Sequence, residues 1–279
     1  MKYLRIILTA LVIIMGICAQ AHAQLEVRLS TERGEYVPGE DVPLTVTITN
    51  HTDATVRLSN VPGRPWLHIH LTRQGSGTAV VPNSIPRYPE CVLSPGGRKA
   101  FSISLKPHYA LTNDGSYGAT VTLRMPDGQT TYTSNRAVFG LSSGGTMRSF
   151  TIQARGQKLV TSIKLLSIKG LSYVFGQVVD ASSRKPLGAC MLGRYVNFMA
   201  PRVLLDSAQN MHVLMQSTPV FYTYAVMDTY GRRRSHEVLE RTGGPVDLIS
   251  TGGGIKYIGL RRYKKPTELE SVPSANARP

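Results

Sequence analysis

The sequence predicts an all-β protein made of two β-rich domains. Between Gln24 and Leu141, apolar and polar residues alternate in short runs, which is the period of a strand buried on one face. Glycine and proline occur 26 and 17 times in the 279 residues, a composition typical of chains with many turns. No run of useful length in that region has the period of a helix. We therefore expect short strands joined by tight turns.

Seven strands are predicted in the first half of the chain. Turn-forming residues separate them at a spacing that favours a sandwich with Greek-key connections. Trp66, the only tryptophan, begins the fourth strand and is expected to be a buried core residue. The predicted strands lie near residues 25–30, 42–49, 54–59, 66–73, 99–105, 116–125 and 130–140.

A turn motif joins the first two of these strands. In residues 37–40 (Val-Pro-Gly-Glu), Pro and Gly occupy the second and third positions of a type II turn, where Gly takes a positive φ. With its flanking strands, this stretch resembles the beginning of macroglobulin-type, fibronectin-III-like sandwich domains of exported proteins. Residues 113–117, followed by 120–123, resemble the Gly-x-Tyr start of a late strand in such domains. The resemblance implies an Ig-like sandwich over residues 24–141, without the thioester and bait region of true macroglobulins.

A run of small residues, 141–146 (Leu-Ser-Ser-Gly-Gly-Thr), marks the predicted boundary between the two domains. It separates the sandwich at 24–141 from a second β-rich domain at 147–265. A polar, flexible tail is expected at 266–279.

The second domain carries a recognisable hairpin pattern. Strand-like runs at 211–215 and 220–227 lead into a turn at 228–231 (Asp-Thr-Tyr-Gly), and 255–262 is predicted as a last strand. These elements fit either a β-sandwich or a β-meander, and they resemble no family.

Residues 1–23 are predicted to be a signal peptide. Two basic residues precede an uncharged run of 13 residues, 6–18, and 21–23 (Ala-His-Ala) supply the small residues that a signal peptidase reads. The run is shorter than the roughly 20 residues that a membrane-spanning helix needs. We expect a mature chain that starts at Gln24, is secreted or periplasmic and has no transmembrane segment. A lipid on Cys18 is disfavoured, because no small residue precedes that cysteine.

The mature chain has two cysteines, Cys91 and Cys190, one in each predicted domain. An oxidising compartment permits a disulfide between them. Two separate thiols are the favoured alternative, because nothing in the sequence supplies the geometry that a disulfide needs.

Positive charge is concentrated in the second half of the chain. The formal net charge is +15, with 11 Lys and Arg against 9 Asp and Glu in residues 24–141, but 19 against 8 in residues 142–279. Two clusters near strand ends are predicted to bind an anionic ligand, because their long side chains can reach phosphate, sulfate or carboxylate groups. The alternative is that they are solvated charges at strand edges. The clustered residues are Arg232, Arg233, Arg234, Arg261, Arg262, Lys264 and Lys265.

The sequence contains no catalytic or cofactor-binding motif. It has no nucleophile elbow, phosphate-binding loop or dinucleotide fingerprint, and residues 236–240 (His-Glu-Val-Leu-Glu) lack the second histidine of a zinc protease. His68 and His70 share one face of a predicted strand, but no third ligand accompanies them. We therefore expect no cofactor and no metal.

These features predict an exported, non-catalytic binding, adhesion or envelope-associated protein. Its basic second domain is expected to contact an anionic polysaccharide, an envelope surface or a protein partner, and no nucleic acid is expected. Two alternatives remain open. One is a hydrolase or accessory domain of a carbohydrate-processing system that uses scattered carboxylates, and the other is a protease inhibitor on a sandwich loop.

Overall fold

The computed structural model describes residues 25–263. The predicted signal peptide, the start at Gln24, the lysines Lys264 and Lys265 and the tail at 266–279 lie outside the described residues. Every regular element of the described part is a β-strand, which confirms the all-β class. Residues 25–263 contain no helix that is long and apolar enough to cross a membrane.

Ten strands lie in the first half of the chain. They include the seven predicted regions, with 130–140 divided into two strands, and add two very short strands that the sequence did not indicate. The strands are β1 (Leu25–Thr31), β2 (Glu35–Tyr36), β3 (Pro43–Asn50), β4 (Val56–Leu58), β5 (Leu67–Arg73), β6 (Cys91–Leu93), β7 (Arg98–Ser104), β8 (Gly115–Arg124), β9 (Thr131–Thr133) and β10 (Ala137–Leu141).

Eleven strands follow in the second half. The two predicted strands at 211–215 and 220–227 are confirmed, and so is the hairpin that the turn at 228–231 closes. The predicted last strand is divided in two at Gly259, which has a φ of 71°. The strands are β11 (Gly145–Ala154), β12 (Gln157–Ile168), β13 (Leu171–Asp180), β14 (Pro186–Arg194), β15 (Arg202–Leu205), β16 (Met211–Gln216), β17 (Phe221–Met227), β18 (Arg233–Arg241), β19 (Asp247–Thr251), β20 (Gly254–Ile258) and β21 (Leu260–Arg262).

The chain divides into two compact units. Of the described residues, unit 1 contains 25–34 together with Val42–Ala110 and Gly115–Gly140. Unit 2 contains 141–263, and also two short segments of the first half, Glu35–Asp41 and Leu111–Asp114. Each unit is therefore discontinuous in sequence.

Unit 1 is built from β-sheets that bury alternate side chains. One sheet has the order β1-β3-β7, and another joins β10, β8 and β5, with β9 beside β8. A two-stranded ladder pairs β4 with β6. On β3 every second residue is buried, as the alternation in the sequence predicts.

Unit 2 packs two antiparallel sheets face to face. The sheets have the orders β11-β12-β13-β14 and β15-β16-β17-β18-β21. Their shared core includes Ile163 and Leu192 from the first sheet and Met215 and Ala225 from the second. The hairpin of β19 and β20 covers the outer face of the second sheet through Leu248, which packs in a cluster with Tyr222 and Tyr224.

The predicted Pro-Gly turn is confirmed, but it packs within unit 2. Glu40 N donates to Val37 O at 2.9 Å, and Gly39 has a φ of 86°. Ala189 N on β14 donates to Gly39 O at 3.1 Å, and Gln177 Nε2 on β13 donates to Pro38 O at 2.9 Å. Val37 joins the apolar cluster on the outer face of that sheet. The turn thus covers the face of the first sheet that the core does not use.

The two cysteines are both thiols in the structure. Cys91 is buried in unit 1, where burial raises the pKa of its thiol, and Cys190 is half-buried on β14.

Candidate anion-binding site

The carboxylates of the described second half are all engaged. Residues 142–263 contain sixteen lysines and arginines but only six aspartates and glutamates. Asp247 pairs with Arg202 at 3.4 Å, and the other five contact arginine, histidine or backbone amide groups. These five are Asp180, Asp206, Asp228, Glu237 and Glu240.

Three of the predicted binding arginines are held by carboxylates. Arg234 Nε lies 2.8 Å from Asp228 Oδ2. Arg261 Nε lies 2.7 Å from Glu240 Oε1. Arg262 reaches Glu237 with two nitrogens, Nη2 at 2.6 Å and Nε at 3.1 Å, and this contact raises its pKa further. These guanidinium groups already have an anionic partner within the protein.

The two predicted arginine clusters do not meet. Residues 232–234 lie at the beginning of β18, whereas Arg261 and Arg262 lie on β21, which pairs with the far end of β18. At about 3.4 Å of rise per residue, Arg234 and Glu240 are about 20 Å apart along that strand. The sequence places the clusters in one domain, but only the sheet register reveals this separation.

Arg232 instead lies among cations from other turns. Its guanidinium carbon is 5.3 Å from the centre of the Tyr230 ring, and that of Arg155 is 4.5 Å from the same ring. Tyr230 is 46% exposed, so this aromatic ring is available to solvent between two guanidinium groups. Arg233 points elsewhere, with Nη1 donating to Met191 O at 3.1 Å.

Three connections meet at this end of unit 2. The β11–β12 turn carries Arg155, and Lys158 follows it on β12. Ala181 N, in the β13–β14 connection, donates to Lys158 O at 3.1 Å. Gly188 on β14 lies against the backbone of Tyr230 in the β17–β18 turn, where a Cβ would collide. We call this surface the basic end. Its members are Arg155, Lys158, Arg184, Lys185, Tyr230 and Arg232.

The local sequence explains why these side chains project. Arg155 and Gly156 have φ values of 55° and 71°, so they form a two-residue hairpin turn of type I′ that leaves the arginine side chain outside the sheet. Asp180 Oδ1 accepts hydrogen bonds from Ser183 N at 2.6 Å and from Ser183 Oγ at 2.8 Å, which lower its pKa. This bonding shapes the β13–β14 connection that carries Arg184.

The β17–β18 turn is shaped in the same way. Asp228 Oδ1 accepts from Tyr230 N and from Arg232 N, both at 2.9 Å. The two carboxylates near the basic end, Asp180 and Asp228, are therefore used by their own turns, and Asp228 is also paired with Arg234.

The five cations of the basic end are exposed and have no carboxylate partner among residues 25–263. An exposed cation that is not paired with a carboxylate can bind a sulfate, phosphate or carboxylate group of a ligand. Of this group, sequence reasoning identified only Arg232. The others flank turn signals such as Arg155-Gly156 and Lys185-Pro186, but three separate turns have to meet before the charges form a site.

A second polar constellation lies under the β19–β20 hairpin. His212 Nδ1 lies 2.6 Å from Tyr224 Oη, and His212 Nε2 lies 3.2 Å from Asp206 Oδ2. Burial, then the nearby Glu237 and Tyr257, raise the pKa of Tyr224 to about 12, so its hydroxyl stays protonated at neutral pH. His212 thus links the Asp206 carboxylate to the Tyr224 hydroxyl, and none of these three residues lines the two cavities near the turn at 60–65.

The predicted histidine pair is where the strand period places it. His68 and His70 project from one face of β5, with ring centres 6.1 Å apart, while Leu67, Ile69 and Leu71 are buried. Burial, followed by the charges of His70 and Arg124, lowers the pKa of His68. Within residues 25–263, no group of three metal-ligating side chains forms.

Trp66 is buried, as predicted, with an exposed fraction of 2%. Its ring packs edge-on against Phe101 and Tyr88, at 6.1 and 6.4 Å between ring centres. These companions lie on distant parts of the chain, so no local pattern around Trp66 indicates them.

No protein-family model and no curated protein matches the chain. Among solved structures, it is similar to the alkylpurine DNA glycosylase AlkC of Pseudomonas fluorescens bound to DNA with an abasic site analogue. The identity is 14% and the TM-score 0.31, over 46% of this chain and 33% of the glycosylase. The sporulation control protein Spo0M of Bacillus subtilis gives 9% identity and a TM-score of 0.29, over 73% and 79% of the two chains. This chain spans about a third of the glycosylase, and neither likeness assigns a function.

Proposed function

We propose that this is an exported, non-catalytic binding protein that holds an anionic polymer or envelope surface on the basic end of unit 2. The observation that carries the proposal is the gathering of five exposed cations, none paired with a carboxylate, around the exposed ring of Tyr230. Acidic polysaccharide is the ligand class that suits an exported protein with this surface.

The arrangement favours binding of a repeated anion over binding of a single small one. The cations come from three connections, so they are spread over a surface and do not converge in a cavity. A polymer with a charge on each unit can contact several of them at once, and each contact adds to the affinity. Tyr230 contacts the guanidinium groups of Arg155 and Arg232, which keeps these two cations together on the surface.

The carboxylates give less support to the alternative of a carbohydrate hydrolase. Glycoside hydrolysis needs two carboxyl groups available to substrate. In residues 142–263 each carboxylate already contacts a basic side chain, a histidine or turn amides.

The export part of the proposal rests on the sequence of residues 1–23, and the Ig-like assignment of residues 24–141 rests on their strand pattern and on the sequence of the turn at 37–40. We expect N-terminal sequencing of exported protein to begin at Gln24. A retained leader would remove the support for an extracellular ligand.

Retention on a heparin-type resin tests the binding surface. A triple variant with Arg155→Ser, Arg184→Ser and Arg232→Ser is expected to elute at a much lower salt concentration than wild type, because it loses three unpaired cations of the basic end. The control is Arg234→Ser, Arg261→Ser and Arg262→Ser, which removes the same charge from carboxylate-paired positions and is expected to elute closer to wild type.

Two outcomes contradict the proposal. Equal shifts for both triple variants would mean that retention follows net charge and not the basic end. Elution of the wild-type protein in low salt would mean that the surface does not bind polyanions at all.

A further inference from the structure

Unit 1 contains a groove that the polyanion surface does not involve. It has a volume of about 360 Å³ and lies between the turn at 60–65 and the segment that carries Ile85 and Arg87. A smaller cavity of about 110 Å³ adjoins it, between the same turn and the β8–β9 turn, and shares Val61, Arg64 and Pro65 as lining. The larger volume is within the range of small-molecule sites.

The groove presents apolar surface to solvent. Val61 is 43% exposed and Ile85 is 63% exposed, and Pro62 and Pro65 also line the groove. Exposed apolar side chains gathered in a concave surface indicate a ligand with an apolar part, since covering them releases water.

The walls of the groove are fixed before any ligand arrives. Val61 and Arg64 exchange two backbone hydrogen bonds, at 3.0 and 2.8 Å, around a Pro-Gly turn. Asn60 Nδ2 donates to Tyr88 O at 2.7 Å, and Trp66 Nε1 donates to Pro89 O at 3.2 Å, so both side chains tie the two walls together. A preformed wall lowers the entropy lost on binding.

Three arginines surround this apolar surface. Arg64 lines both cavities, Arg87 lines the larger and Arg124 lines the smaller. None of the three forms an ion pair with a carboxylate in the described part of the chain. The one acid on the wall, Asp127, accepts hydrogen bonds from Gln129 N, Thr130 N and Thr130 Oγ1, which lower its pKa and hold it in its own turn.

We propose that this groove binds an amphiphilic organic carboxylate, with its chain along Val61, Pro62 and Ile85 and its carboxylate at Arg64. Arg64 is the natural anchor because it belongs to both cavities, and a guanidinium can bind a carboxylate with two parallel hydrogen bonds. An amphiphilic carboxylate matches both the arginines and the apolar wall of the groove. A small anion lacks the apolar part, and an uncharged hydrocarbon lacks the negative charge.

Calorimetric titration of the full-length mature protein tests whether the ligand needs both a negative charge and an apolar chain. Octanoate is expected to bind measurably, octanol more weakly because it lacks the charge, and acetate not detectably because it lacks the chain. Equal binding of octanoate and octanol would overturn the role of the arginines, and absence of octanoate binding would overturn the site.

Arg64→Gln is the decisive variant. It is expected to weaken octanoate binding about tenfold or more, the usual effect of losing a charged hydrogen bond, with little change for octanol. Arg98→Gln is the matched control, because it removes an exposed arginine of unit 1 on β7 that does not line the groove. Equal weakening by both variants would contradict the proposal. Neither change touches the basic end, so retention on heparin-type resin is expected to stay at the wild-type value.

Discussion

At the scale of single residues, Trp66 makes the clearest contribution to stability. Its ring packs against Phe101 and Tyr88, and its Nε1 reaches Pro89 O at 3.2 Å. We expect Trp66→Ala to lower the free energy of unfolding by about 3–5 kcal/mol, the usual cost of emptying a buried aromatic site. Urea denaturation of the variant and of the wild-type protein measures this difference. Trp66→Phe serves as the control, because it keeps an aromatic ring but loses the hydrogen bond, and it is expected to lower the free energy of unfolding by less. A decrease below about 0.5 kcal/mol for Trp66→Ala would contradict the buried position of this side chain.

Asp206 makes the stability of unit 2 depend on pH. Burial acts to raise its pKa, but hydrogen bonds from Asn210 and His212 outweigh burial, and the net pKa is lowered. Because the pKa of Asp206 is lower in the folded state, its ionised carboxylate stabilises the protein at pH values above the ordinary aspartate pKa, about 3.9. This stabilisation disappears as the pH falls through the pKa of the folded state.

The matching prediction uses Asp206→Asn. We expect this variant to be less stable than wild type by about 1–2 kcal/mol at pH 7, and the difference to shrink as the pH falls below the ordinary aspartate pKa and the wild-type carboxyl becomes protonated. Denaturant melts at several pH values measure both proteins. A difference that stays constant over that range would contradict the assigned role of the charge.

At the scale of elements, the turn at residues 37–40 depends on Gly39. A Cβ at this position would lie 3.0 Å from Pro186 Cβ, and the φ of 86° already disfavours any other residue. We expect Gly39→Ala to destabilise the protein by about 2–4 kcal/mol, combining backbone strain with overpacking.

Gly156→Ala is the control for Gly39→Ala. It has a similar φ of 71° but nothing within 4 Å of the added methyl group, so only the backbone cost of about 1–2 kcal/mol applies. Thermal or urea unfolding of both variants gives the comparison. Equal losses would show that the turn does not pack closely against β14.

Element-scale features also show what the sequence can predict. The alternation of apolar and polar residues predicted strands such as β3 and β5, and the turn-forming residues at 37–40 and 228–231 predicted those two turns. Both kinds of signal lie within a few consecutive residues. The two-residue β2 and the three-residue β6 carry too few residues to show a period. The basic end could not be predicted, since it depends on which turns meet.

At the scale of the whole molecule, each unit draws on separate parts of the chain. Glu35–Asp41 and Leu111–Asp114 pack with residues that follow Leu141, although they come from the first half. The link between the halves is short, because β10 ends at Leu141 and β11 begins at Gly145. A cut in this link therefore leaves pieces of unit 2 on both fragments.

An inserted protease site after Gly144 tests this organisation. We expect the cleaved protein to elute as one species in gel filtration, because Val37 and Gly39 remain bound to β13 and β14 across the cut. In denaturant the two fragments are expected to separate. Separation under native conditions would contradict the assignment of residues 35–41 to unit 2.

Lysine acetylation in the presence and absence of a sulfated polysaccharide tests the central claim most directly, because it locates the bound polymer. Lys158 and Lys185 belong to the basic end, whereas Lys99 on β7 and Lys256 on β20 do not, and all four are exposed. We expect the polymer at low salt to slow modification of Lys158 and Lys185 several-fold while leaving Lys99 and Lys256 unchanged, and the protection to disappear at high salt. Uniform protection of all four lysines, or protection of Lys256 alone, would contradict a binding surface formed by the three turns at this end of unit 2.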